Sequence, residues 1–320
     1  MTAPTDPRQT IAASVSPEAA AILHLVGAAL AALPPRDPPA TLAEFDAANV
    51  RGAAFAEQIA AAPLAALQPH TELWDANGVP VLTVTPQGAT PGATPLVYVH
   101  GGGFVGGSAR ANLLTAAVAA ATSGRVVHSI DYMLAPRAQW REIIEQVATA
   151  WAAILARGGP TPGLFGDSAG GCIAAATTLL LRDRDATLPP ALMLMSPVAD
   201  LAGAGDTNVT LAPVDYLERH MLEPALRAYA DPADWAEPLV SPVHADFTQG
   251  FPPALIQVGT RELLLSDAVR LHRALRAAGR PSRLEVYEGM PHVFQPLLAA
   301  TPEGRAAWAE IAAFWAEHLA

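Results

Sequence analysis

The six residues GDSAGG, at positions 166–171, constrain the fold of this chain more than any other stretch. A short apolar segment, 162–165, precedes them and a run of small and apolar residues, 172–181, follows, which predicts a buried strand and then a buried helix. Ser168 would lie at the turn, where flanking glycines let strand and helix approach while the serine backbone is strained, so the pattern predicts a nucleophile elbow. The motif alone leaves open a glycine-rich turn in which Ser168 caps the helix.

The composition is that of a globular protein, since the 320 residues are 51% hydrophobic and 15% charged. Such a chain is long enough for one large α/β domain with additional elements. Its formal net charge of -11 makes a nucleic-acid or anionic-membrane partner unfavourable. Cys172 is the single cysteine, which excludes an intramolecular disulfide and a cysteine-based zinc cluster, and we expect no bound metal.

The N-terminal sequence predicts neither a membrane span nor a secretory leader. The longest apolar run, residues 19–33, is interrupted by His24 and is too short to cross a bilayer. With Asp6, Arg8 and Glu18 as its neighbours, the run lacks the charged region and the small-residue cleavage site of a signal peptide. We therefore expect a soluble protein of the cytoplasm.

The predicted strands belong mostly to one parallel sheet. Strands 70–75 and 79–85 come first and are joined by Asn77-Gly78, a strong hairpin signal. From residue 96 onward strands and helices alternate, which predicts a sheet with helices on both faces and an α/β fold class. The strands of this part are expected at 96–99, 125–131, 162–166, 191–196, 254–259 and 283–287.

Two further regions stand outside this alternation. Residues 1–69 contain two predicted helices before any strand, one at 17–33 and one at about 41–61 that begins with a capping box of Thr41 and Glu44. Residues 201–250 interrupt the order after a strand's C-terminal end, where ligands bind in open α/β sheets. We expect both regions to cover a site as a cap on a catalytic domain of residues 70–200 and 251–320. A surface insertion with its own small core is the alternative for 201–250. Candidate pocket residues are Phe104, Tyr216, Leu217 and Met221.

The sequence HGGG at 100–103 directly follows the strand predicted at 96–99. Acyl transfer passes through a tetrahedral oxyanion, which needs backbone N–H donors, and glycines let the main chain come close enough to supply them. We expect the donors of this oxyanion hole to be Gly102, Gly103 and Ala169. The sequence leaves the choice between Gly101 and Gly103 open.

A serine nucleophile also needs a general base and a carboxylate that orients the base. His292 lies in the loop after the last strand and is the candidate base. Glu262 lies immediately after the penultimate strand, whereas Asp267 follows a serine that suits a helix N-cap. We favour Glu262 as the acid and keep Asp267 as the alternative. The order Ser168, Glu262, His292 is that of α/β hydrolases.

The chain resembles the hormone-sensitive-lipase-like group of α/β hydrolases, which includes bacterial carboxylesterases. The resemblance runs over about residues 95–295. It implies a cap, no cofactor, and hydrolysis of small-molecule esters of short to medium acyl chains. The segments that carry it include YVHGGGF at 98–104, DYMLAP at 131–136, GDSAGG at 166–171, SPVADL at 196–201 and GMPHVF at 289–294.

The sequence departs from this group in two notable places. Glu262 stands where the group usually has Asp, and Arg137 stands where Glu usually follows the Leu-Ala-Pro segment. The segments around Glu262 and His292 resemble those of lactone hydrolases, so hydrolysis of a lactone by the same triad is an alternative function. A non-catalytic small-molecule receptor is a second alternative. A homodimer through the strand at 283–287 is a further hypothesis, because an unpaired edge invites pairing.

Overall fold

The computed structural model describes residues 6–32 and 37–319. Eight strands form one sheet in the order β1-β2-β4-β3-β5-β6-β7-β8. The pairs β1–β2 and β2–β4 are antiparallel and the others are parallel, so the predicted mostly parallel sheet is confirmed. The strands are β1 (His70–Asp75), β2 (Pro80–Thr85), β3 (Leu96–Val99), β4 (Val127–Ile130), β5 (Gly163–Asp167), β6 (Leu192–Met195), β7 (Ala254–Gly259) and β8 (Ser282–Tyr287).

The hairpin between β1 and β2 forms where the sequence predicts it. Asn77 and Gly78 both have positive φ, +58° and +89°, as the two-residue turn that matches strand twist requires. Asp75 closes the turn, since its carboxylate accepts a hydrogen bond from the N–H of Gly78 at 2.9 Å.

Helices cover both faces of the sheet. Successive side chains of β5 belong to different cores: Leu164 to the one that includes residues of 140–156, 168–183 and 265–277, and Phe165 to the one that includes residues of 113–123 and 302–318. The helices are α1 (Pro17–Ala31), α2 (Leu42–Leu67), α3 (Leu113–Ser123), α4 (Trp140–Ala156), α5 (Ser168–Asp183), α6 (Thr207–Thr210), α7 (Arg219–Tyr229), α8 (Leu265–Ala277), α9 (Phe294–Leu297) and α10 (Pro302–His318).

The N-terminal helices begin as the sequence indicates but bury less than their apolar content suggests. Thr41 and Glu44 form the capping box of α2. On α1, Leu23 is buried whereas Leu25 is 72% exposed, and the last residue of the first predicted helix, 33, lies outside the described residues. Helix α1 shares a small core with Met290 and with residues of α9 and α10, so it packs beside the loop that carries His292.

The insertion between β6 and β7 contains α6, α7 and three short 3₁₀ turns. Its buried apolar side chains join the large core on one sheet face, among them Leu201, Tyr229 and Val240. The insertion is therefore attached to the sheet domain by packing. In the described part of the chain, no helix combines the length and apolar character needed to cross a membrane.

Candidate active site

Ser168 lies at the sharp turn that the sequence predicts between β5 and α5. Its φ is +53°, in the left-handed region that non-glycine residues rarely adopt. A Cβ atom at Gly166 would lie 2.4 Å from the carbonyl oxygen of Gly170, and a Cβ at Gly170 would lie 2.1 Å from that of Val99. Both positions therefore require glycine, and the strained serine is held between them.

The side chains of Ser168, His292 and Glu262 form one hydrogen-bonded chain. The Ser168 Oγ lies 2.9 Å from His292 Nε2, and His292 Nδ1 lies 2.9 Å from Glu262 Oε2. A carboxylate only accepts hydrogen bonds, so Nδ1 carries the proton and Nε2 is left to accept from the serine hydroxyl. The geometry suits proton transfer from Ser168 to His292.

Glu262 is fully buried and held through its second oxygen. Oε1 accepts hydrogen bonds from the Ser196 hydroxyl, at 2.8 Å, and from the N–H of Gly259. The same hydroxyl accepts from the N–H of Val293 at 3.2 Å, which ties the loop of His292 to the loop of Glu262. Our sequence reasoning missed this function of Ser196, although it begins the segment 196–201 that carries the family resemblance.

Asp267, the alternative acid, belongs to a different network. Its Oδ2 accepts from the N–H groups of Ala199 and Asp200 at 2.8 and 2.9 Å, and its Oδ1 accepts from Asn208. Burial raises the pKa of this carboxyl to about 6. The structure therefore places Glu262, and not Asp267, against His292.

Gly102 and Gly103 of the glycine segment line the same cavity as Ser168. The N–H of Gly101 is engaged, since it donates to Asp167 Oδ1 at 3.1 Å. Gly102 and Gly103 have φ values of +126° and +62°. Among the loop hydrogen bonds of residues 6–32 and 37–319, none uses the N–H of Gly102 or Gly103. Ala169 is the second residue of α5, where a backbone N–H has no partner within the helix. These three groups are free to bind an oxyanion.

The charges around His292 favour its protonated form. Burial alone would lower its pKa, but the hydrogen bond to Glu262 and the negative charges of Glu262, Asp215 and Asp167 outweigh burial, so the pKa lies above its usual value. Burial also raises the pKa of Asp167, and this effect outweighs the hydrogen bond from the hydroxyl of Tyr98, which lowers that pKa. A proton that reaches His292 is thus stabilised there.

A cavity of about 500 Å³ opens at Ser168 and His292. Of the candidate pocket residues, Phe104, Leu217 and Met221 line it. Tyr216 does not: it lines a second cavity, of about 390 Å³, against α1. The stretch before α7 consists of turns and bends, and Leu217, the neighbour of Tyr216, lines both cavities. The larger cavity has the size of small-molecule sites.

Comparisons with known proteins agree with this geometry. The alpha/beta hydrolase fold family matches residues 96–296. An acetyl-hydrolase of Streptomyces hygroscopicus is 36% identical over 216 residues, which cover 66% of this chain and 72% of that protein. An esterase of Acinetobacter venetianus is 32% identical over 238 residues, covering 71% and 76%. The chain belongs to the α/β-hydrolase family.

Solved structures place this hydrolase within one branch of the family. An esterase described as a member of the bacterial hormone-sensitive lipase family is similar with a TM-score of 0.84 and 32% identity, over 95% of this chain and 99% of that one. A hormone-sensitive lipase from a metagenome library gives a TM-score of 0.80 at 28% identity, over 92% and 97%. The predicted resemblance is confirmed, and the hydrolase is an enzyme of the carboxylic ester hydrolase class.

Two sequence expectations concern groups outside the hydrogen-bonded chain of Ser168, His292 and Glu262: the single cysteine and a metal site. Cys172 is buried in α5, where its thiol lies 3.3 Å from the carbonyl oxygen of Val240 and burial raises its pKa strongly. It acts as a small buried side chain, as expected. Within the described ranges, no group of three or more His, Cys, Asp or Glu side chains is arranged to hold a metal ion.

Proposed function

We propose that this hydrolase is a serine carboxylesterase that cleaves esters of short to medium acyl chains through an acyl-enzyme on Ser168. The observation that carries the proposal is the continuous chain of hydrogen bonds from Ser168 through His292 to the buried Glu262, next to three free backbone N–H groups. The arrangement supplies nucleophile, base, acid and oxyanion donors at one cavity.

In the first half of the reaction, Ser168 Oγ attacks the carbonyl carbon of the ester and its proton passes to His292 Nε2. Glu262 holds the imidazole through Nδ1–H and stabilises the positive charge that forms on it. The carbonyl oxygen becomes an oxyanion, which the N–H groups of Gly102, Gly103 and Ala169 bind. The tetrahedral intermediate collapses, the bond to the alcohol breaks, and His292 protonates the departing alcohol oxygen.

In the second half, a water molecule takes the place of the alcohol. His292 removes its proton while the water oxygen attacks the acyl carbon on Ser168. Collapse of this second intermediate returns the proton to Ser168 Oγ and releases the carboxylic acid. The same side chains serve both halves, so no cofactor is needed.

The cavity supports a preference for small and apolar acyl groups. Its volume is about 500 Å³, and apolar side chains such as Phe104, Leu217 and Met221 form much of its lining. Phe104 is held rigidly, because its ring stacks on that of Tyr229 with centroids 3.8 Å apart. Two relatives are named acetyl-hydrolase and esterase, which agrees with a small acyl group. In this proposal α1, α2 and residues 201–250 act as the cap.

The proposal is tested by hydrolysis of p-nitrophenyl esters graded from acetate to palmitate. We expect activity to be highest for the shorter chains, to be largely lost in Glu262→Gln, and to persist per folded molecule in the matched variant Asp267→Asn. Loss of activity only in Asp267→Asn would contradict the assignment of the acid. Turnover of lactones without turnover of any ester would favour the lactone hydrolase, and tight binding without turnover of either would favour a receptor.

The homodimer through 283–287 stays a prediction. Strand β8 lies at one edge of the sheet, opposite β1, and its Val286 is 46% exposed. An unpaired edge of this kind offers free backbone groups to a second strand. Sedimentation of the purified chain over a range of concentrations measures its oligomeric state.

A further inference from the structure

A second buried carboxylate, Asp215, reaches the acid loop from the insertion. It is 0% exposed. Its Oδ2 accepts a hydrogen bond from the N–H of Leu263 at 2.6 Å, and its Oδ1 accepts from the N–H of Leu217 at 2.9 Å. Leu263 directly follows Glu262, so Asp215 holds the peptide that connects the candidate acid to α8.

A second side chain of the insertion binds the carbonyl group of Leu263. The hydroxyl of Thr207 donates to the carbonyl oxygen of Leu263 at 2.8 Å and accepts from the N–H of Ser266 at 2.8 Å. Both backbone polar groups of Leu263 are thus bound by side chains of the insertion, one charged and one neutral. Substitutions of Asp215 and Thr207 can therefore separate the effect of holding the Leu263 backbone from the effect of a charge.

Residue 215 is a carboxylate, so it brings a negative charge as well as two hydrogen-bond acceptors. A buried carboxylate is costly unless its charge is compensated. Over the described ranges, no ion pair involves Asp215, and its hydrogen-bond partners are the two neutral N–H groups. Burial raises the pKa of Asp215, and the positive charge of protonated His292 is the largest influence that lowers it. This interaction is favourable only while the imidazole carries a proton, as it does during the reaction.

Three carboxylates from three parts of the fold act on His292. Glu262 belongs to the loop after β7, Asp167 ends β5 at the elbow, and Asp215 belongs to the insertion. Glu262 also binds the ring directly, whereas Asp215 acts on it through space. The insertion that lines the cavity therefore also contributes to the electrostatics of the base.

We propose that Asp215 is a positioning residue of this active site, which fixes the backbone that follows Glu262 and adds a negative charge that stabilises protonated His292. The proposal rests on the serine esterase mechanism proposed above. It links the insertion to the chemistry as well as to substrate binding, because movement of the 207–217 segment would move both the acid and a charge near the base.

The decisive variant is Asp215→Asn, which keeps the shape and removes the charge. The amide can accept from one of the two N–H groups, but its own NH₂ then opposes the other, so the loop of Glu262 shifts. We expect kcat to fall about 10- to 100-fold, because small displacements of catalytic groups have effects of this order. We also expect the acid limb of the pH profile of kcat/KM to move to lower pH, since protonated His292 loses a stabilising charge.

Thr207→Val is the matched control, because it removes a hydrogen bond from the same loop without changing any charge. We expect it to lower stability and to leave the acid limb in place. An unshifted limb in Asp215→Asn, or an equal shift in Thr207→Val, would overturn the proposal. Ser168→Ala in the same assay tests the mechanism separately: if it stays active, the proposed function fails whatever the Asp215 variants do.

A second variant covers the case in which Asp215→Asn does not fold. Asp215→Glu keeps the charge but displaces the carboxylate by one methylene group. We expect its acid limb to stay near that of the parent while kcat falls, because the hydrogen bond to Leu263 is altered. A parental kcat in Asp215→Glu would show that the position of this carboxylate is unimportant, and it would overturn the positioning role.

Discussion

The strands that end beside the cavity and the insertion that helps to line it are built in different ways. All residues of β3, β5, β6 and β7 are buried, whereas in α7 of the insertion Ala225 and Tyr229 are the buried residues among eleven. Close packing on every side leaves the ends of the strands little freedom. The elbow and the acid loop are thereby held in place, while one face of α7 can vary with little effect on the fold.

The insertion nevertheless contacts the catalytic loops through polar groups. Asp215 and Thr207 bind the backbone of Leu263, and Asn208 binds Asp267. These hydrogen bonds join buried polar side chains of the insertion to the loop of Glu262 and to α8. Stability, chemistry and substrate preference should therefore respond differently to substitutions in the two regions.

The largest effect is expected for Ser168→Ala at the end of β5. We expect kcat to fall about 10⁴- to 10⁶-fold, as for the loss of nucleophiles in other triads, with the melting temperature nearly unchanged. The measurement is the hydrolysis of p-nitrophenyl acetate together with thermal unfolding followed by circular dichroism. Ser123→Ala, at the distant end of α3, is the control and should keep full activity. A retained kcat in Ser168→Ala would contradict the mechanism.

A core substitution in the sheet should affect stability far more than one in the insertion. Leu194 in β6 is 0% exposed, so Leu194→Ala should lower the free energy of unfolding by about 2–5 kcal/mol. Leu222 in α7 is only partly buried and lines the cavities, so Leu222→Ala should cost about 1 kcal/mol or less. Urea unfolding of both variants measures the difference. Equal losses would mean that α7 is as integral to the core as β6.

For substrate preference we expect the reverse: a substitution in the insertion should change it, and a core substitution in the sheet should not. Met221 lines both the cavity at Ser168 and the second cavity against α1, so Met221→Ala should enlarge the space available to an acyl chain. We expect kcat/KM to rise about 10-fold for longer esters relative to acetate, a modest effect of the size that one methylene group produces. The p-nitrophenyl ester series measures it. Leu194→Ala should leave the profile unchanged, and a profile that shifts equally there would remove the distinction between the regions.

The smallest and most specific effect concerns pH. The pKa of His292 lies above its usual value because the hydrogen bond and charge of Glu262 outweigh burial, so kcat/KM should fall as the pH drops through that raised pKa. In Glu262→Gln the residual activity should show its acid limb at lower pH, since the imidazolium loses its nearest negative charge. The pH profile of kcat/KM with p-nitrophenyl acetate measures the acid limb of the parent and that of Glu262→Gln. A limb that stays in place would mean that Glu262 does not act on His292.

Local features were the ones that the sequence predicted well. The hairpin at Asn77-Gly78, the capping box at Thr41 and the turn at Ser168 each depend on a few neighbouring residues. The strands are confirmed within two residues at their ends, because buried parallel strands produce continuous apolar runs. Side chains of the amphipathic helix α1 were less predictable, since Leu25 is exposed although it is apolar.

The sequence by itself determined the positions of the strands along the chain, the strained turn at Ser168 and the position of His292 after the last strand, because these follow from backbone sterics and local periodicity. Only the tertiary structure decided that Glu262 faces His292, that Asp267 binds the 199–200 backbone, and that the N–H of Gly101 is already engaged. It also turned Tyr216 to the second cavity and brought Asp215 beside the acid loop. The hydrogen bonds among these outcomes join residues 30 to 68 positions apart, which no local pattern contains.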